Sequence, residues 1–446
     1  TPTKPGYYQE LDGGLTLRQA KVEDREALAE FHTTHLSDPD PPHDAERLRA
    51  ALLDVMSGEH PTIDVGDFTL VEDNANGTIV SSMALLSLTA TYEGIPFNFG
   101  QPEFVSTDPA FRRRGLVRTQ FDLVHKWSAA REELVQGIVG IPWYYRQFGY
   151  EMAMNLDGYR AGSKTRVPRL EPGQEEKFRF RQATVDDVPF VMAMYQQAMA
   201  RSLMANMQTE ALWRYDIAGR SEQSSSRKVI QVVEAIEQPG SPVGLLVHHW
   251  DLRKSGLGIR LIEVRDGIPY LAITPAVMRY LTSAGEEYAR RDRESLETIA
   301  FILGEHHPVY DTVAERLPRV GKPYAWYLRV PDLVAFMRHI SPALETRLSE
   351  SAQAGFTGDL KMSFYRFGLL FKFETGRLHV EAWQPNDLFD GDVAFPDLTF
   401  LQLVFGFRSL DELRHAFPDC RSRSDEALAL LPILFPKKDS NVWSSG

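Results

Sequence analysis

The stretch FVSTDPAFRRRGLV, from Phe104 to Val117, places three consecutive arginines directly before a glycine. The residues from Phe97 to Val105 favour a strand, and Thr107-Asp-Pro109 ends it. From Leu116 onward, apolar residues recur at helical spacing. The stretch is therefore predicted to be the turn between a strand and a helix, with the arginines at the mouth of the helix.

A helix mouth has the chemistry of a phosphate site. Its first N–H groups lack intrahelical partners, and the positive end of the helix dipole lies there. Gly115 removes the side chain that would block the backbone, and the arginines add charge. The interruption Gly100-Gln-Pro102 suggests a bulge or a splay in the preceding strand. We interpret the turn as a pyrophosphate site; a solvated turn is the alternative for an arbitrary arginine run.

Length and composition limit the class of protein. A chain of 446 residues exceeds what one core holds, so two to three domains are expected. With 43% hydrophobic and 25% charged residues, it reads as globular. A net charge of −12 argues against nucleic-acid binding and favours cationic ligands. A single cysteine, Cys420, excludes an intramolecular disulfide, and no signal segment or long apolar run predicts a membrane location, so a cytoplasmic protein is expected.

An internal repeat organises the chain. Leu17-Arg-Gln-Ala-Lys-Val-Glu-Asp24 returns 163 residues later as Phe180-Arg-Gln-Ala-Thr-Val-Asp-Asp187. Both copies predict a strand followed by a helix with an acidic first turn. Gly137-Ile-Val-Gly140 returns as Phe301-Ile-Leu-Gly304 at nearly the same offset. We interpret this pattern as a tandem duplication of one α/β unit of about 160 residues.

Three domains follow from the repeat and from the composition of the joins. The polar segment 162–176 separates the two copies, and Val330-Pro-Asp332 marks a second boundary. Helical spacing after Leu333 and two alternating strands joined by Glu374-Thr-Gly376 predict a smaller α+β unit. The predicted domains are 1–162, 177–331 and 332–446.

The motif resembles that of a known family. Arg112-x-x-Gly115-Leu116, preceded by Val105-x-Thr107-x-Pro109, resembles the acetyl-CoA signature of the GNAT superfamily of N-acetyltransferases. Val117 departs from the small residue that usually ends that signature. The later segment from Tyr145 to Tyr150 is similar to the family's tyrosine-containing turn.

The order of the three units resembles the enhanced-intracellular-survival (Eis) type of acetyltransferase. The resemblance implies two tandem GNAT-like mixed-sheet domains, of α/β class, followed by a smaller sterol-carrier-like α+β domain. The second copy has no Arg-x-x-Gly after Thr274-Pro-Ala276, so one coenzyme site is expected per chain.

The resemblance also assigns roles to residues. Tyr145 is expected to be the general acid that meets the departing thiolate, and acetyl-CoA is the expected acyl donor, with no metal. Gln101 stands where many relatives place a carboxylate, so Glu103, two residues on, is the candidate base. In the Eis type the terminal carboxylate serves as base, and here that group would be Gly446. The predicted coenzyme-binding residues are Val105, Thr107, Arg112, Arg113, Arg114, Gly115, Leu116 and Val117.

Two further segments have competing interpretations. Glu305-His306-His307 suggests a metal, but neighbouring residues on an extended chain point in opposite directions, which favours a non-metal interpretation. His32, His35 and the segment from Asp38 to Asp44 are expected to line a loop over the acceptor; a polar connector is the alternative.

The sequence therefore predicts an acetyl-CoA-dependent N-acetyltransferase acting on a small amine resembling an aminoglycoside or a polyamine. The resemblance implies homo-oligomerisation, and no nucleic-acid or membrane partner is expected. Two rival functions stay open: a non-catalytic carrier of an apolar ligand in the last domain, and a protein-lysine acetyltransferase. The sequence does not identify the acceptor, because acceptor pockets lack a transferable residue code.

Overall fold

The computed structural model describes residues 7–37 and 44–443. The first unit combines eight strands with three helices. Its elements in chain order are β1 Tyr8–Leu11, β2 Leu15–Gln19, α1 Arg25–Leu36, α2 Asp44–Val55, β3 Phe68–Asp73, β4 Thr78–Tyr92, β5 Ile95–Thr107, α3 Leu116–Ala130, β6 Val135–Ile138, β7 Glu151–Leu156 and β8 Tyr159–Ser163.

The second unit repeats the succession of a strand, two helices, a β-meander and a long helix. Its elements are β9 Phe178–Gln182, α4 Val188–Met199, β10 Met204–Asn206, α5 Glu210–Ala218, β11 Lys228–Ala235, β12 Pro242–His249, β13 Gly256–Val264, α6 Tyr270–Asp292, β14 Thr298–Phe301, β15 Arg319–Gly321 and β16 Tyr324–Arg329.

The third unit is smaller and of α+β type, as predicted. Its elements are α7 Leu333–Ser349, β17 Gly358–Ser363, β18 Gly368–Glu374, β19 Arg377–Trp383, β20 Val393–Ala394, α8 Thr399–Val404, α9 Leu410–Ala416, β21 Arg421–Ser422 and α10 Asp425–Leu434. The predicted hairpin joins β18 to β19, and Thr375 and Gly376 take the positive φ angles, 52° and 82°, that a tight turn needs. Within the described ranges, no helix is both long and apolar enough to cross a bilayer.

The repeated Arg-Gln-Ala motif builds the same ion network twice. Arg18 forms a bidentate pair with Asp24, at 2.6 and 2.8 Å, and donates from Nε to Glu72. Arg181 pairs in the same way with Asp187, at 2.7 Å for both contacts, and its Nε donates to Glu234. In each copy the fork ties the strand to the turn that begins the first helix. The duplication read from the sequence is thus a structural repeat.

The two repeated units exchange strands. The first sheet has the order β1-β2-β3-β4-β5-β6-β16-β7, with β10 added beside β4. The second sheet has the order β15-β8-β14-β13-β12-β11-β9. The first unit therefore gives β8 to the second sheet and receives β16 in return, inserted between β6 and β7. The result is a mixed α/β fold, in agreement with the predicted fold class.

Because of this strand exchange, the predicted boundaries at 162 and 331 do not separate the two sheets. Tyr324–Arg329, which the sequence analysis gave to the second domain, completes the first sheet. Tyr159–Ser163, given almost entirely to the first domain, lies in the second sheet. Domains cut at single chain positions do not describe these two sheets, because each needs a strand from beyond the cut.

The third unit packs against the first sheet. One continuous core joins Tyr92, Phe97 and Phe99 of the first unit to Phe336 and Phe405 of the third. The buried hydroxyl of Tyr92 donates to the carbonyl of Val404 at 2.8 Å, so the polar end of this ring is satisfied inside the shared core.

Removing the buried indole of Trp326 tests the role of β16. Trp326 is fully buried in the first sheet, whereas Tyr324 on the same strand is 40% exposed. Because a buried Trp→Ala change removes contacts and leaves a cavity, we expect Trp326→Ala to lower the free energy of unfolding by about 3–5 kcal/mol. Tyr324→Ala should cost less than about 1 kcal/mol. Urea unfolding measures both; similar small losses would show that β16 does not hold the first sheet.

Candidate active site

A gap between two parallel strands forms the floor of the site. β5 pairs with β6 only through Phe99 with Val135 and Gly100 with Gln136, and the strands separate after these pairs. Only a glycine fits at position 100, because a Cβ there would clash with the buried Oε2 of Glu133. The splay suggested by Gly100-Gln-Pro102 begins here, and it leaves the last half of β5 with an unpaired edge.

The bulge of β5 lies further along the strand than the sequence suggested. Ser82 faces Ser106 and Ala84 faces Glu103, so Phe104 and Val105 together oppose one residue of β4. Phe104 has a φ of +55°, an uncommon conformation for a bulky residue. The bulge is therefore at Phe104–Val105 rather than at Gly100–Pro102, directly beside the gap. A bulge there twists the strand and redirects its backbone groups.

The arginine turn lies at the mouth of α3, as predicted. Gly115 caps the helix with a φ of +77°, and nothing lies within 4 Å of the position of an added Cβ. The first-turn N–H groups, including those of Leu116 and Val117, have no acceptor within the helix. Arg112 and Arg113 line the adjoining cavity. Arg114 does not, because its guanidinium stacks on the ring of Phe111 at 4.7 Å.

A cavity of about 1000 Å³ joins the gap to the arginine turn, and we call it the larger cavity. Seven of the eight predicted coenzyme residues line it, and so do both predicted catalytic residues. The remaining one of the eight is Arg114. The structure therefore brings together residues that are up to 42 positions apart in the sequence, from Glu103 to Tyr145.

Tyr145 lies in a short 3₁₀ turn, Tyr144–Phe148, that follows β6. Its ring is buried among Phe121, Tyr144 and Tyr327, with centroids 5.3–6.1 Å away. Its hydroxyl makes no hydrogen bond to any residue of the described ranges. Burial raises the pKa of Tyr145 above its ordinary value, and the nearby carboxylate of Glu103 raises it further. Tyr145 therefore stays protonated and can donate a hydrogen bond into the cavity.

Glu103 precedes the bulge on β5 and lines the same cavity. Burial raises the pKa of Glu103 to about 7, while a hydrogen bond of 2.7 Å from the Gln101 amide acts in the opposite direction. A carboxyl group that titrates near neutrality can accept or release a proton at working pH. The Gln101 side chain holds Glu103 in place through this hydrogen bond.

The two histidines of α1 have different environments. His35 lines the larger cavity, as expected for the acceptor side. His32 is fully buried and bridges Ser82 and Ser106, with ring nitrogens 3.0 and 3.3 Å from their hydroxyls. Burial lowers the pKa of His32 to about 3, so it is neutral and fixes the two strands beside the bulge. The expectation that His32 lines the acceptor loop was wrong, because α1 turns this side chain into the core.

Sequence reasoning missed several lining residues. Arg118, in the first turn of α3, lines the cavity and bonds Gln147 at 2.9 Å. The sequence could have revealed Arg118, because it lies one helical turn after Gly115 and therefore near the same helix mouth. Ser225 and Arg253 come from the second unit, and no local pattern marks them. Within the described residues, the third unit contributes none of the side chains that line this cavity.

The second unit has a buried ionic cluster beside its own pair of parallel strands. β13 pairs in parallel with β14 as β5 does with β6. Beyond that pairing, the buried carboxylate of Glu263 contacts Arg201 at 3.1 Å, Tyr270 at 3.4 Å and His307 at 3.7 Å. The end of β13 thus carries a buried ionic cluster, and this copy lacks the Arg-x-x-Gly motif.

The candidate ligand atoms of the Glu305-His306-His307 segment do not include those of His307. Glu305, His306 and Asp439 offer ligand atoms within 4.8 Å of one another, while His307 turns inward to Glu263. His306 and Glu305 are exposed, and Nδ1 of His306 already bonds Asp439 at 2.9 Å. Residues 38–43 and the candidate carboxylate of Gly446 lie outside the described residues.

The pH dependence of stability tests the state of Glu103. The folded carboxyl titrates near pH 7 and an unfolded glutamate near 4.3, so the folded state holds an extra proton between these values. The stability that this carboxyl contributes is complete below about pH 4 and is lost as the pH rises through 7. Relative to wild type, Glu103→Gln should therefore gain about 2–3 kcal/mol of unfolding free energy from pH 5 to pH 8.

Urea unfolding at the two pH values measures this change, and the exposed Glu10→Gln is the matched control. Equal shifts in both variants would show that Glu103 titrates like a solvated carboxyl.

Part of the chain that contains this site matches a known protein family. Residues 16–153 match the model of the acetyltransferase (GNAT) domain. No curated protein sequence gives a significant match. The matched segment holds the strand gap, the bulge, the arginine turn and Tyr145.

Several solved structures share the fold over nearly the whole chain. A GCN5-related N-acetyltransferase from Anabaena variabilis is 13% identical, covers 96% of this chain and 99% of its own, and has a TM-score of 0.62. A probable N-acyltransferase from Enterococcus faecalis is 12% identical, with the same coverage and a TM-score of 0.64. Eis1 from Mycobacterium abscessus is 13% identical, covers 97% and 99%, and has a TM-score of 0.58. At these identities the likeness concerns the fold. Residues 16–153 are therefore an acetyltransferase domain of the GNAT type.

Proposed function

We propose that the chain transfers an acetyl group from acetyl-CoA to an amine, in the larger cavity. The observation that carries this proposal is the junction of three features in one space: the free edge of β5, the cationic mouth of α3 and the hydroxyl of Tyr145. Each feature meets one chemical need of the reaction, namely an amide-binding edge, an anion site and a donor for the leaving group.

The residues fit coenzyme A. Arg112, Arg113 and Arg118 surround the open space beside Gly115, where the first-turn N–H groups of α3 suit a pyrophosphate. Backbone groups of Val105 and Thr107, along the free edge of β5, suit the amides of a pantetheine arm. When bound, acetyl-CoA supplies the activated thioester. Backbone N–H groups beside the bulge are suited to polarise its carbonyl.

Glu103 is suited to remove the proton of the acceptor. An ammonium group with an ordinary pKa near 10.4 is neutral in only about one molecule in 2,000 at pH 7, which costs about 4–5 kcal/mol before attack. Glu103, with a pKa of about 7, is partly ionised at that pH and lies on the wall of the cavity. It can accept the proton as the amine attacks the thioester carbonyl.

Tyr145 is suited to stabilise the departing thiolate. A thiol has a pKa near 8.5, and the pKa of Tyr145 is raised above 10. Full proton transfer from tyrosine is therefore uphill by more than about 2 kcal/mol. We assign Tyr145 the role of a hydrogen-bond donor that remains protonated while negative charge develops on sulfur.

The acceptor that we propose is a small polycationic amine of the aminoglycoside or polyamine kind. The chain carries a net charge of −12, and carboxyl groups of Asp44 and Glu103 line the cavity. Arg253, the cation that the second unit adds to this wall, already contacts Asp251 at 3.3 Å. Mass spectra of products formed with spermidine and with a lysine peptide separate this proposal from protein-lysine acetylation. The sterol-carrier-like character of the third unit stays a prediction.

The function is tested by placing a negative side chain at the anion site. We expect calorimetric titration to show acetyl-CoA binding near one site per chain, and Gly115→Glu to abolish it. Gly173→Glu is a matched control, because Gly173 has a similar φ of +81° and equally open surroundings but lies in the linker. Both changes carry the same backbone strain, about 1 kcal/mol. Failure of the unmodified protein to bind, or equal losses in both variants, would overturn the proposal.

A kinetic test addresses Tyr145. We expect Tyr145→Phe to lower kcat about 100-fold with a small change in KM for acetyl-CoA, since the lost hydrogen bond acts as the thiolate forms. Tyr144→Phe, one residue earlier on the same turn and also lining the cavity, should change kcat less than about threefold. Steady-state rates with a fixed amine measure both; an unchanged kcat in Tyr145→Phe contradicts the assigned role.

A further inference from the structure

A second, smaller cavity of about 90 Å³ lies between the first and second units. One loop separates it from the larger cavity, because Ser225 lines the larger one and Ser226 lines the smaller one. Its walls come from the middle of β4, the segment after α2, helix α5 and the start of β11. Nothing in the proposed acetyl transfer uses this space.

The lining of the smaller cavity carries an excess of positive charge. Asp216, which is 2% exposed, accepts hydrogen bonds of 2.8 Å from Nε of Arg220 and from Nζ of Lys228. Two cations therefore share one carboxylate. The fourth ionisable residue of the lining is His60, whose pKa burial lowers to about 4, so its ring is neutral at neutral pH.

The guanidinium of Arg220 is incompletely paired. Its side chain is only 6% exposed, and buried Nη1 has no hydrogen-bond partner among the residues that the structure describes. A buried charged donor without a partner is costly. The amide oxygen of Gln208, on the same cavity, also lacks a partner, and a bound water can supply one.

Two more groups favour an anion over a neutral ligand. Nδ1 of His60 accepts the N–H of Thr62 at 3.3 Å, so the ring carries its proton on Nε2, as a donor. Lys228 sits over the ring of Trp443, 5.4 Å from its centroid, which orders the ammonium group. A water molecule needs about 10–15 Å³ of such space. The cavity therefore admits a two-carbon acid with water but excludes bulky anions.

We propose that this smaller cavity is a binding site for a small carboxylate anion the size of acetate, held by Arg220 and Lys228. A carboxylate adds a second anionic acceptor for Arg220 and Lys228, which otherwise share the single carboxylate of Asp216. Planar carboxylates suit a guanidinium better than a spherical ion does. The site is independent of the proposed acetyl transfer, since its lining shares no residue with the larger cavity.

Saturation-transfer NMR on the full chain tests the site, with acetate as the probe and gluconate as the excluded anion at equal ionic strength. We expect a saturable signal from the acetate methyl group and none from gluconate. Arg220→Gln should reduce the acetate signal at least fivefold. Arg214→Gln, which changes an exposed arginine on the same helix, is the matched control and should leave it unchanged.

If Arg220→Gln does not fold, as judged by circular dichroism, Lys228→Met replaces it, because Arg220 still pairs with Asp216 in that variant. No acetate signal from the wild-type chain would overturn the proposal. An acetate signal that survives both Arg220→Gln and Lys228→Met would place acetate elsewhere and would overturn it as well.

Discussion

Strand β16 fixes the position of the candidate catalytic tyrosine. It lies between β6 and β7, so the connection from β6 to β7 has to cross it, and Tyr145 lies in that connection. The hydroxyl of Tyr327 on β16 accepts the N–H of Trp143, and its ring meets that of Tyr145 edge-on at 5.6 Å. Trp143 has a φ of +65°, a strained conformation that this contact helps to hold. The site in the first unit therefore depends on a strand 184 residues away from Trp143 in the sequence.

Burial sets the protonation states in the larger cavity. It raises the pKa values of both Glu103 and Tyr145, with different consequences. The pKa of the Glu103 carboxyl rises to about 7, so this group can exchange a proton at neutral pH. The pKa of the Tyr145 phenol rises further above neutral pH, so this group stays a hydrogen-bond donor. Burial thus leaves one group that can exchange a proton near neutral pH and another that stays protonated. The neutral His32 side chain holds the two strands together beside the bulge and adds no charge.

Local features of the fold were predictable from the sequence. The arginine turn, the helix that follows Gly115 and the repeated Arg-Gln-Ala fork are encoded within eight to fourteen residues, so spacing and capping chemistry reveal them. The exact place of the bulge was not predictable, because it depends on which residue of β4 faces Glu103. Arg114 could not be separated from its neighbours, since only a contact with Phe111 removes it from the cavity.

Long-range features could not be predicted from the sequence, because they too depend on contacts between distant segments. Periodicity tells which residues form a strand but not which sheet receives it, so neither the transfer of β16 nor that of β8 could be read. Ser225 and Arg253 reach the larger cavity from the second unit, and Asp439 reaches His306 from beyond the third. Each of these contacts joins segments that are more than 100 residues apart, where no local pattern carries information.

The exchange of β8 and β16 also bears on how the gene can change. The second copy lacks the Arg-x-x-Gly motif of the first, yet the first sheet depends on it. Deletion of the second copy would take two strands, β10 and β16, out of the first sheet and leave β8 without a sheet to join. A simple deletion of the second copy is therefore expected to disrupt the first sheet. The two copies evolve as one heritable unit, free to diverge at their clefts and constrained where their strands cross.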